Sequence, residues 1–167
     1  MPDPQEHVDR DETGRVLRRF FVIDDQLEGQ ASMYDPEGWL AQRAHFHAGL
    51  LDGELVQLDP NGQPLAILHY AAGKLEGEAA FFERGHPQLR MQYKNGLQEG
   101  ETIVYGPEGR PATKGEHRAG KLDGVSSWYR PDGSLLRTAE YAGGILEGES
   151  VEYDERGRPI RRENARK

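Results

Sequence analysis

Large apolar residues return along this chain with a period of about 24 residues, and short runs that alternate between apolar and polar side chains lead up to each of them. Pairs of an acidic residue and a glycine keep the same period, with spacings of 24, 24, 23, 24 and 24 residues. These pairs are Glu28-Gly29, Asp52-Gly53, Glu76-Gly77, Glu99-Gly100, Asp123-Gly124 and Glu147-Gly148. A constant period in this range is typical of a repeat architecture.

Within each repeat, two alternating runs flank a turn, which predicts a β-hairpin. The turn Asp35-Pro36-Glu37-Gly38 has Pro and Gly where a type I turn that closes on a bulge needs them. The first runs end on Tyr34, Leu58, Phe82, Tyr105, Tyr129 and Tyr153, and the second runs on Phe46, Tyr70, Tyr93, His117 and Tyr141. No stretch sustains a helical period. We therefore predict an all-β protein, a single elongated, curled antiparallel sheet of about six 24-residue hairpin repeats.

The same pattern predicts three segments along the chain. Residues 1–12 are a polar N-terminal segment, residues 13–160 are the repeat domain, and residues 161–167 are a basic C-terminal tail. The repeat domain is expected to be stabilised by contacts between neighbouring repeats, because each repeat stacks only on the next.

Alternation of side chains also predicts what each face of the sheet carries. If Tyr34 faces Leu40 and Ser32 faces Gln42, the end residues of all the runs form aromatic ladders on one face, which would be the structural spine. The other face would then carry an apolar row bordered by charged residues. This row consists of Met33, Phe81, Val104 and Trp128. Such rows mark protein interfaces, although a sheet that curls could also bury them.

Composition and charge narrow the function classes. The net charge is −8, and it divides into +5 over residues 156–167 and −13 over the rest of the chain. An acidic body disfavours nucleic acid and suits a basic protein partner. The chain has no cysteine, so disulfides, cysteine-ligated zinc and a thiol nucleophile are excluded. No signal-peptide pattern and no long apolar run is visible, so we expect a soluble cytoplasmic protein.

Candidate chemistry is sparse. His45 and His69 would lie roughly 9.6 Å apart on the sheet, too far to share a metal ion without His47 or a carboxylate from a loop. There is no nucleophile elbow and no phosphate-binding loop, so neither a cofactor nor an enzyme activity is expected. The acidic residues of the acidic-glycine pairs would follow one rim of the sheet, either as solvated turns or as a docking strip for a basic partner. We assign Glu76, Glu99, Asp123 and Glu147 to that strip.

The run Tyr70-Ala71-Ala72-Gly73-Lys74-Leu75-Glu76-Gly77-Glu78 returns, with changes, at residues 141–149. This pattern resembles the variant class of MORN repeats, best known in bacterial proteins of the YwqK-like antitoxin type. The resemblance covers residues 13–160, with departures at Gln98, His117 and Val125. It implies a hairpin-repeat sheet that binds proteins and, in bacteria, neutralises a partner toxin. Classical MORN repeats have an aromatic residue where this chain has Leu27, Leu51 or Leu75, so their lipid binding is not carried over.

These observations lead to one functional hypothesis and one alternative. The chain is expected to be a non-enzymatic protein-binding repeat module, an antitoxin or immunity protein whose partner is a basic toxin or effector. Neither nucleic acid nor a membrane is expected as a partner. The alternative is a scaffold or membrane-associated adaptor, in which Arg161 and Arg162 of the basic tail would touch anionic lipid.

Overall fold

The computed structural model describes residues 2–164, and every regular element in that range is a β-strand. The chain divides into two compact units, Met1–Gly85 and His86–Lys167, called unit one and unit two below. Unit one contains β1 (Gln5–Arg10), β2 (Val16–Ile23), β3 (Gln26–Leu27), β4 (Gly29–Tyr34), β5 (Leu40–His47), β6 (Leu50–Leu58), β7 (Pro64–Ala71) and β8 (Lys74–Glu83). Unit two contains β9 (His86–Lys94), β10 (Leu97–Tyr105), β11 (Pro111–Arg118), β12 (Lys121–Leu122), β13 (Gly124–Tyr129), β14 (Leu135–Ala142), β15 (Ile145–Tyr153) and β16 (Pro159–Asn164).

The strands of each unit pair antiparallel in the order in which they occur along the chain. In unit one the order is β1-β2-β4-β5-β6-β7-β8, and the short β3 pairs with β2. In unit two the order is β9-β10-β11-β13-β14-β15-β16, and the short β12 pairs with β11. The prediction of an all-β antiparallel sheet built from hairpin repeats is therefore confirmed.

Five of the turns inside the repeats are of the predicted type, and the third repeat instead has a two-residue turn at Arg84-Gly85. The N–H of Asp35 donates to the carbonyl of Trp39 at 2.9 Å, and the N–H of Gly38 donates to the carbonyl of Asp35 at 2.8 Å. Gly38 has a φ of 95°, which side chains strongly disfavour, so glycine is required at this position. The same hydrogen-bond pattern recurs at residues 59–63, 106–110, 130–134 and 154–158.

The strands extend further at both ends than the sequence predicts. Residues 11–15 repeat the turn just described, and the hydroxyl of Thr13, with nearby N–H groups and Arg15, lowers the pKa of Asp11 to about 2. The turn joins β2 to β1, which lies inside the predicted polar segment 1–12. At the other end, β16 includes the first four residues of the predicted basic tail 161–167, and residues 165–167 lie outside the described part of the chain.

A bulge beside each of these turns overturns the predicted faces. Tyr34 pairs with Leu40 as expected, but Met33 pairs with Gln42 and Ser32 with Arg43, because Ala41 is an extra residue in the second strand. Since side chains alternate, one extra residue moves the rest of that strand to the other face. The residues equivalent to Ala41 in the other hairpins are Leu17, Leu65, Ala112, Leu136 and Ile160.

The predicted aromatic ladders therefore lie on opposite faces, and the expectation of a single ladder face was wrong. We call face A the side that carries Met33 in unit one and Trp128 in unit two. Register places the second-run residues Phe46, Tyr70, Tyr93, His117 and Tyr141 on face A. It places the first-run residues Tyr34, Leu58, Phe82, Tyr105, Tyr129 and Tyr153 on the other side, which we call face B.

Small residues form the core of face A. Its buried positions are Ala44, Leu55, Ala66 and Ala79 in unit one, and Gly115, Ser126, Ala139 and Ser150 in unit two. Ala139 has none of its surface exposed, although its strand belongs to a single sheet. The most buried positions of face A are therefore mostly small residues, and none of them belongs to the predicted aromatic ladder.

Candidate partner-binding surface

In unit one, the predicted interface residues Met33 and Phe81 belong to one cross-strand row on face A. Direct pairing links Met33 to Gln42, Gln42 to Gln57, Gln57 to Ala66, and Ala66 to Phe81. Met33 is 46% exposed and Phe81 is half-buried. The two glutamines interrupt the apolar stripe that the sequence predicts, so this row offers both hydrogen-bonding and apolar contacts.

Unit two has an equivalent row on face A with Trp128 near its middle. Val104, which is 42% exposed, pairs with Thr113, Thr113 with Trp128, and Trp128 with Arg137. The Arg137 guanidinium carbon lies 5.1 Å from the centre of the Trp128 ring, a cation–π distance. Arg137 also donates from Nε to Ser150 Oγ at 2.9 Å, which fixes the guanidinium against the indole. The indole is thus held in place while half-buried.

A groove of about 320 Å³ opens beside Met33 in unit one. Its lining is Arg18, Arg19, Phe20, Leu27, Ala31, Ser32, Met33, Gln42, Ala44 and Phe46. Phe20 and Phe46 were not among the predicted surface residues, because the predicted register put Phe46 on the other face. The signal that could have found them is the aliphatic pair at the bulge, such as Leu135-Leu136, which breaks the alternation expected of a strand.

Several acidic residues of the acidic-glycine pairs accept backbone hydrogen bonds at the turns between repeats. Ala48 and Gly49 form a two-residue turn with φ values of 48° and 78°. The N–H of Ala48 donates to the Glu28 carboxylate at 2.9 Å, and the N–H of Gly49 donates to the Leu27 carbonyl at 2.9 Å. Leu27-Glu28 therefore supplies both acceptors that this turn needs, from about 20 residues earlier in the chain.

The same carboxylate contact recurs in both units. The other donor–acceptor pairs are Ala72 to Asp52 at 3.1 Å, Ala119 to Glu99 at 2.8 Å and Gly143 to Asp123 at 3.2 Å. Of the four residues predicted as a docking strip, Glu99 and Asp123 accept these turn hydrogen bonds. The side chain of Glu76 is half-buried and that of Glu147 is exposed. The acidic-glycine period is accordingly explained by backbone hydrogen bonding, whatever the strip binds.

Glu28 has a further partner. Its carboxylate lies 3.0 Å from Nδ1 of His47. The hydrogen bond from Ala48, followed by the contact with His47, lowers the pKa of Glu28, and the same contact with Glu28 raises the pKa of His47. Asp123 likewise faces Arg118 at 3.4 Å. These pairs neutralise part of the charge that the rim would present to a partner.

Within residues 2–164, no three His, Asp or Glu side chains are grouped closely enough to hold a metal ion. Over the same residues, no helix is long and apolar enough to cross a membrane. Both arginines proposed to touch lipid face carboxylates: Arg162 lies 3.1 Å from Glu149, and Arg161 lies 2.5 Å from Glu163.

The family model of the MORN repeat variant matches residues 27–48. This segment is similar to the MORN repeat variant. It begins at Leu27 and ends at Ala48, so it spans the hairpin of β4 and β5 together with the Ala48–Glu28 hydrogen bond. MORN repeats are in general modules that bind proteins or membranes. No curated protein matches the chain.

Proposed function

We propose that this protein is a non-enzymatic protein-binding module and that each unit has its own binding surface on face A, the row around Trp128 in unit two and the groove beside Met33 in unit one. In its more specific form, the proposal is that the protein is an antitoxin or immunity protein that masks a basic toxin. The first part rests on the surface itself, and the second on the resemblance to antitoxins of the MORN-variant class.

The observation that carries the proposal is the Trp128 site. A half-buried indole, held by Arg137 and lying in the same row as the exposed Val104, is the kind of anchor that dominates binding energy at protein interfaces. The polar members of the row, Gln42 and Gln57 in unit one and Thr113 in unit two, match the mixed chemistry of such interfaces.

Charge favours a basic protein as the partner. The net charge of −8 produces a field that attracts cations over several ångströms, which speeds encounter more than it tightens the final complex. It opposes binding to nucleic acid and to anionic lipid. The pairing of Arg161 and Arg162 with carboxylates further weakens the alternative of a membrane-associated adaptor.

The test needs a purified toxin or effector, sought among the products of the neighbouring genes, and titration of this protein against it by surface plasmon resonance. Trp128→Ala is expected to raise the dissociation rate and to cost roughly 2 kcal/mol or more of binding free energy. Trp39→Ala is the matched control, because Trp39 is the other tryptophan in the chain and lies at a turn, outside the row. Equal losses in the two variants would contradict the assignment of the surface.

Changing Glu76, Glu99 and Asp123 to their amides tests the electrostatic part. The amide oxygen can still accept the turn hydrogen bonds, so the fold should persist while the field weakens. Association should slow and lose part of its salt dependence, with little change in the dissociation rate. An association rate that stays the same would remove the docking strip from the proposal.

Activity of the toxin decides the specific form. Stoichiometric addition of this protein should abolish toxin activity, and the Trp128→Ala variant should need a higher concentration to do so. Binding without inhibition would contradict the proposal that the protein is an antitoxin and would favour a scaffold function.

A further inference from the structure

We propose that the protein associates with further copies of itself head to tail, by pairing the free edge of β16 in one copy with the free edge of β1 in the next. Within residues 2–164, β1 pairs only with β2 and β16 only with β15. Each therefore presents a row of backbone N–H and C=O groups on its other side, which is a template for pairing with another strand.

The internal register of the repeats determines how these edges would meet. In the hairpin of β15 and β16, Arg161 pairs with Glu152. In the hairpin of β4 and β5, Gln42 pairs with Met33 at the same position beside the turn, so β16 corresponds to β5. In the hairpin of β1 and β2, Asp9 pairs with Arg18. In the hairpin of β6 and β7, Gln57 pairs with Ala66 at the same position, so β1 corresponds to β6. The strands β5 and β6 pair with Gln42 opposite Gln57. If β16 and β1 of two copies follow this register, Arg161 of one copy lies opposite Asp9 of the next.

The charges on the two edges complement each other in that register. On face A, Arg137 pairs with Glu152 and Glu152 with Arg161 in one copy. Asp9 pairs with Arg18 in the next copy, at 2.5 Å. Joining Arg161 to Asp9 gives an uninterrupted cross-strand series of alternating positive and negative side chains. Opposite charges placed directly across strands are favourable and like charges are not.

Two neighbouring positions are compatible with this register. The register that places Ala44 opposite Leu55 would place Glu163 of one copy opposite His7 of the next. The diagonal contact between Arg43 and Glu54, at 3.3 Å on face B, would become a contact between Arg162 and Glu6. The side chains of Glu6, Asp9, Arg161 and Arg162 are all between 40% and 62% exposed, so they are accessible to a second copy.

Charged residues on an edge strand can also serve to prevent pairing. That function is best met by one sign of charge on both edges, whereas here Arg161 of β16 lies opposite Asp9 of β1 in this register. Because the contact joins two different surfaces, it is heterologous, and repetition gives an open chain or a closed ring of copies.

Analytical ultracentrifugation of the full chain, from about 10 µM to 1 mM at low salt, tests this inference. The wild type should show concentration-dependent association that weakens as salt is raised. Asp9→Arg and Arg161→Asp should each weaken association about tenfold, since each replaces an attractive pair with a repulsive one. Glu108→Arg, an equal change of charge at an exposed turn, should leave association close to that of the wild type.

Mixing the two edge variants gives the decisive result. The Asp9→Arg variant retains Arg161, and the Arg161→Asp variant retains Asp9, so an equimolar mixture should associate more strongly than either variant alone. Circular dichroism confirms that each variant is folded. A wild type that remains monomeric up to 1 mM, or a mixture that associates no better than its components, would overturn the inference.

Discussion

Each unit forms its core from an equivalent row of positions on face A, but the residue types in the two rows differ. In unit one, cross-strand pairing links Ala31, Ala44, Leu55, Leu68 and Ala79, all of them apolar. In unit two, the equivalent positions are Met91, Thr102, Gly115, Ser126, Ala139 and Ser150, most of them small and three of them carrying a hydroxyl. Similar folding of both sets indicates that this row accepts hydroxyl-bearing residues as well as apolar ones.

Hydrogen bonds offset the cost of burying two of the three hydroxyl groups in unit two. Thr102 Oγ1 accepts from Gln98 Nε2 at 2.5 Å and lies 3.1 Å from Nδ1 of His117. Ser150 Oγ accepts from Arg137. Ser126 is the exception: it is 2% exposed, and its Oγ has no hydrogen-bond partner within the described residues. Unit one therefore depends more on apolar burial, and unit two on a polar network with one unsatisfied member.

The largest expected effect comes from emptying the apolar core of unit one. Leu55 is 8% exposed and pairs with Ala44 on one side and Leu68 on the other. Leu55→Ala should lower the free energy of unfolding by about 3 kcal/mol, because the small neighbours cannot fill the space. Urea unfolding measures this loss. A loss below about 1 kcal/mol would show that face A of unit one is not a close-packed core.

Most of this architecture could be predicted from the sequence, because turn residues and period are local signals. The turns at Gly38 and its equivalents were predicted from Pro and Gly alone, and they fix the hairpins. The faces could not be predicted, because the bulge at Ala41 depends on how two strands pair after the turn closes. One extra residue then moved Phe46 and Tyr70 to the face of Met33.

For the candidate site, the sequence brought Met33 and Phe81, and Val104 and Trp128, onto rows that the structure also contains. It did not reveal that Glu99 and Asp123 accept hydrogen bonds from Ala119 and Gly143, because those contacts join residues 20 positions apart. A periodic carboxylate looks the same in a sequence whether it binds a partner or holds a turn.

A smaller effect is expected from giving unit two the residue found in unit one. Gly115 is equivalent to Ala44, but an added Cβ would lie 3.0 Å from Leu122 Cδ2 and 3.1 Å from Ser126 Oγ. Gly115→Ala should therefore destabilise the protein by about 1 kcal/mol, since overpacking outweighs the entropy gained by removing a glycine. Thermal unfolding provides the measurement. A stabilised variant would mean that the two rows are interchangeable.

Removing the unsatisfied hydroxyl should act in the other direction. Ser126→Ala deletes a buried polar atom that has no partner in the described structure, so the free energy of unfolding should rise by up to about 1 kcal/mol. Ser150→Ala is the control, because Ser150 accepts a hydrogen bond from Arg137 and its loss should destabilise. If Ser126→Ala also destabilises, its hydroxyl has a partner, such as a bound water, and the polar row of unit two is fully satisfied.

The smallest effect is a difference between the units in their response to pH. In unit one, contact with Glu28 raises the pKa of His47, so its contribution to stability is complete below the ordinary value of 6.5 and is lost as pH rises through the raised value. In unit two, burial lowers the pKa of His117, whose face A position is occupied by tyrosine or phenylalanine in unit one. The unfolded chain then binds a proton more readily than the folded chain, so stability falls as pH drops below 6.5 towards the lowered value.

NMR titration of the imidazole C–H resonances should give a pKa above 6.5 for His47 and below 6.5 for His117. The variant Glu28→Gln should bring His47 back towards 6.5 and leave His117 unchanged. If His117 titrates at or above 6.5, its ring is solvated, and the polar network that distinguishes unit two does not close over it.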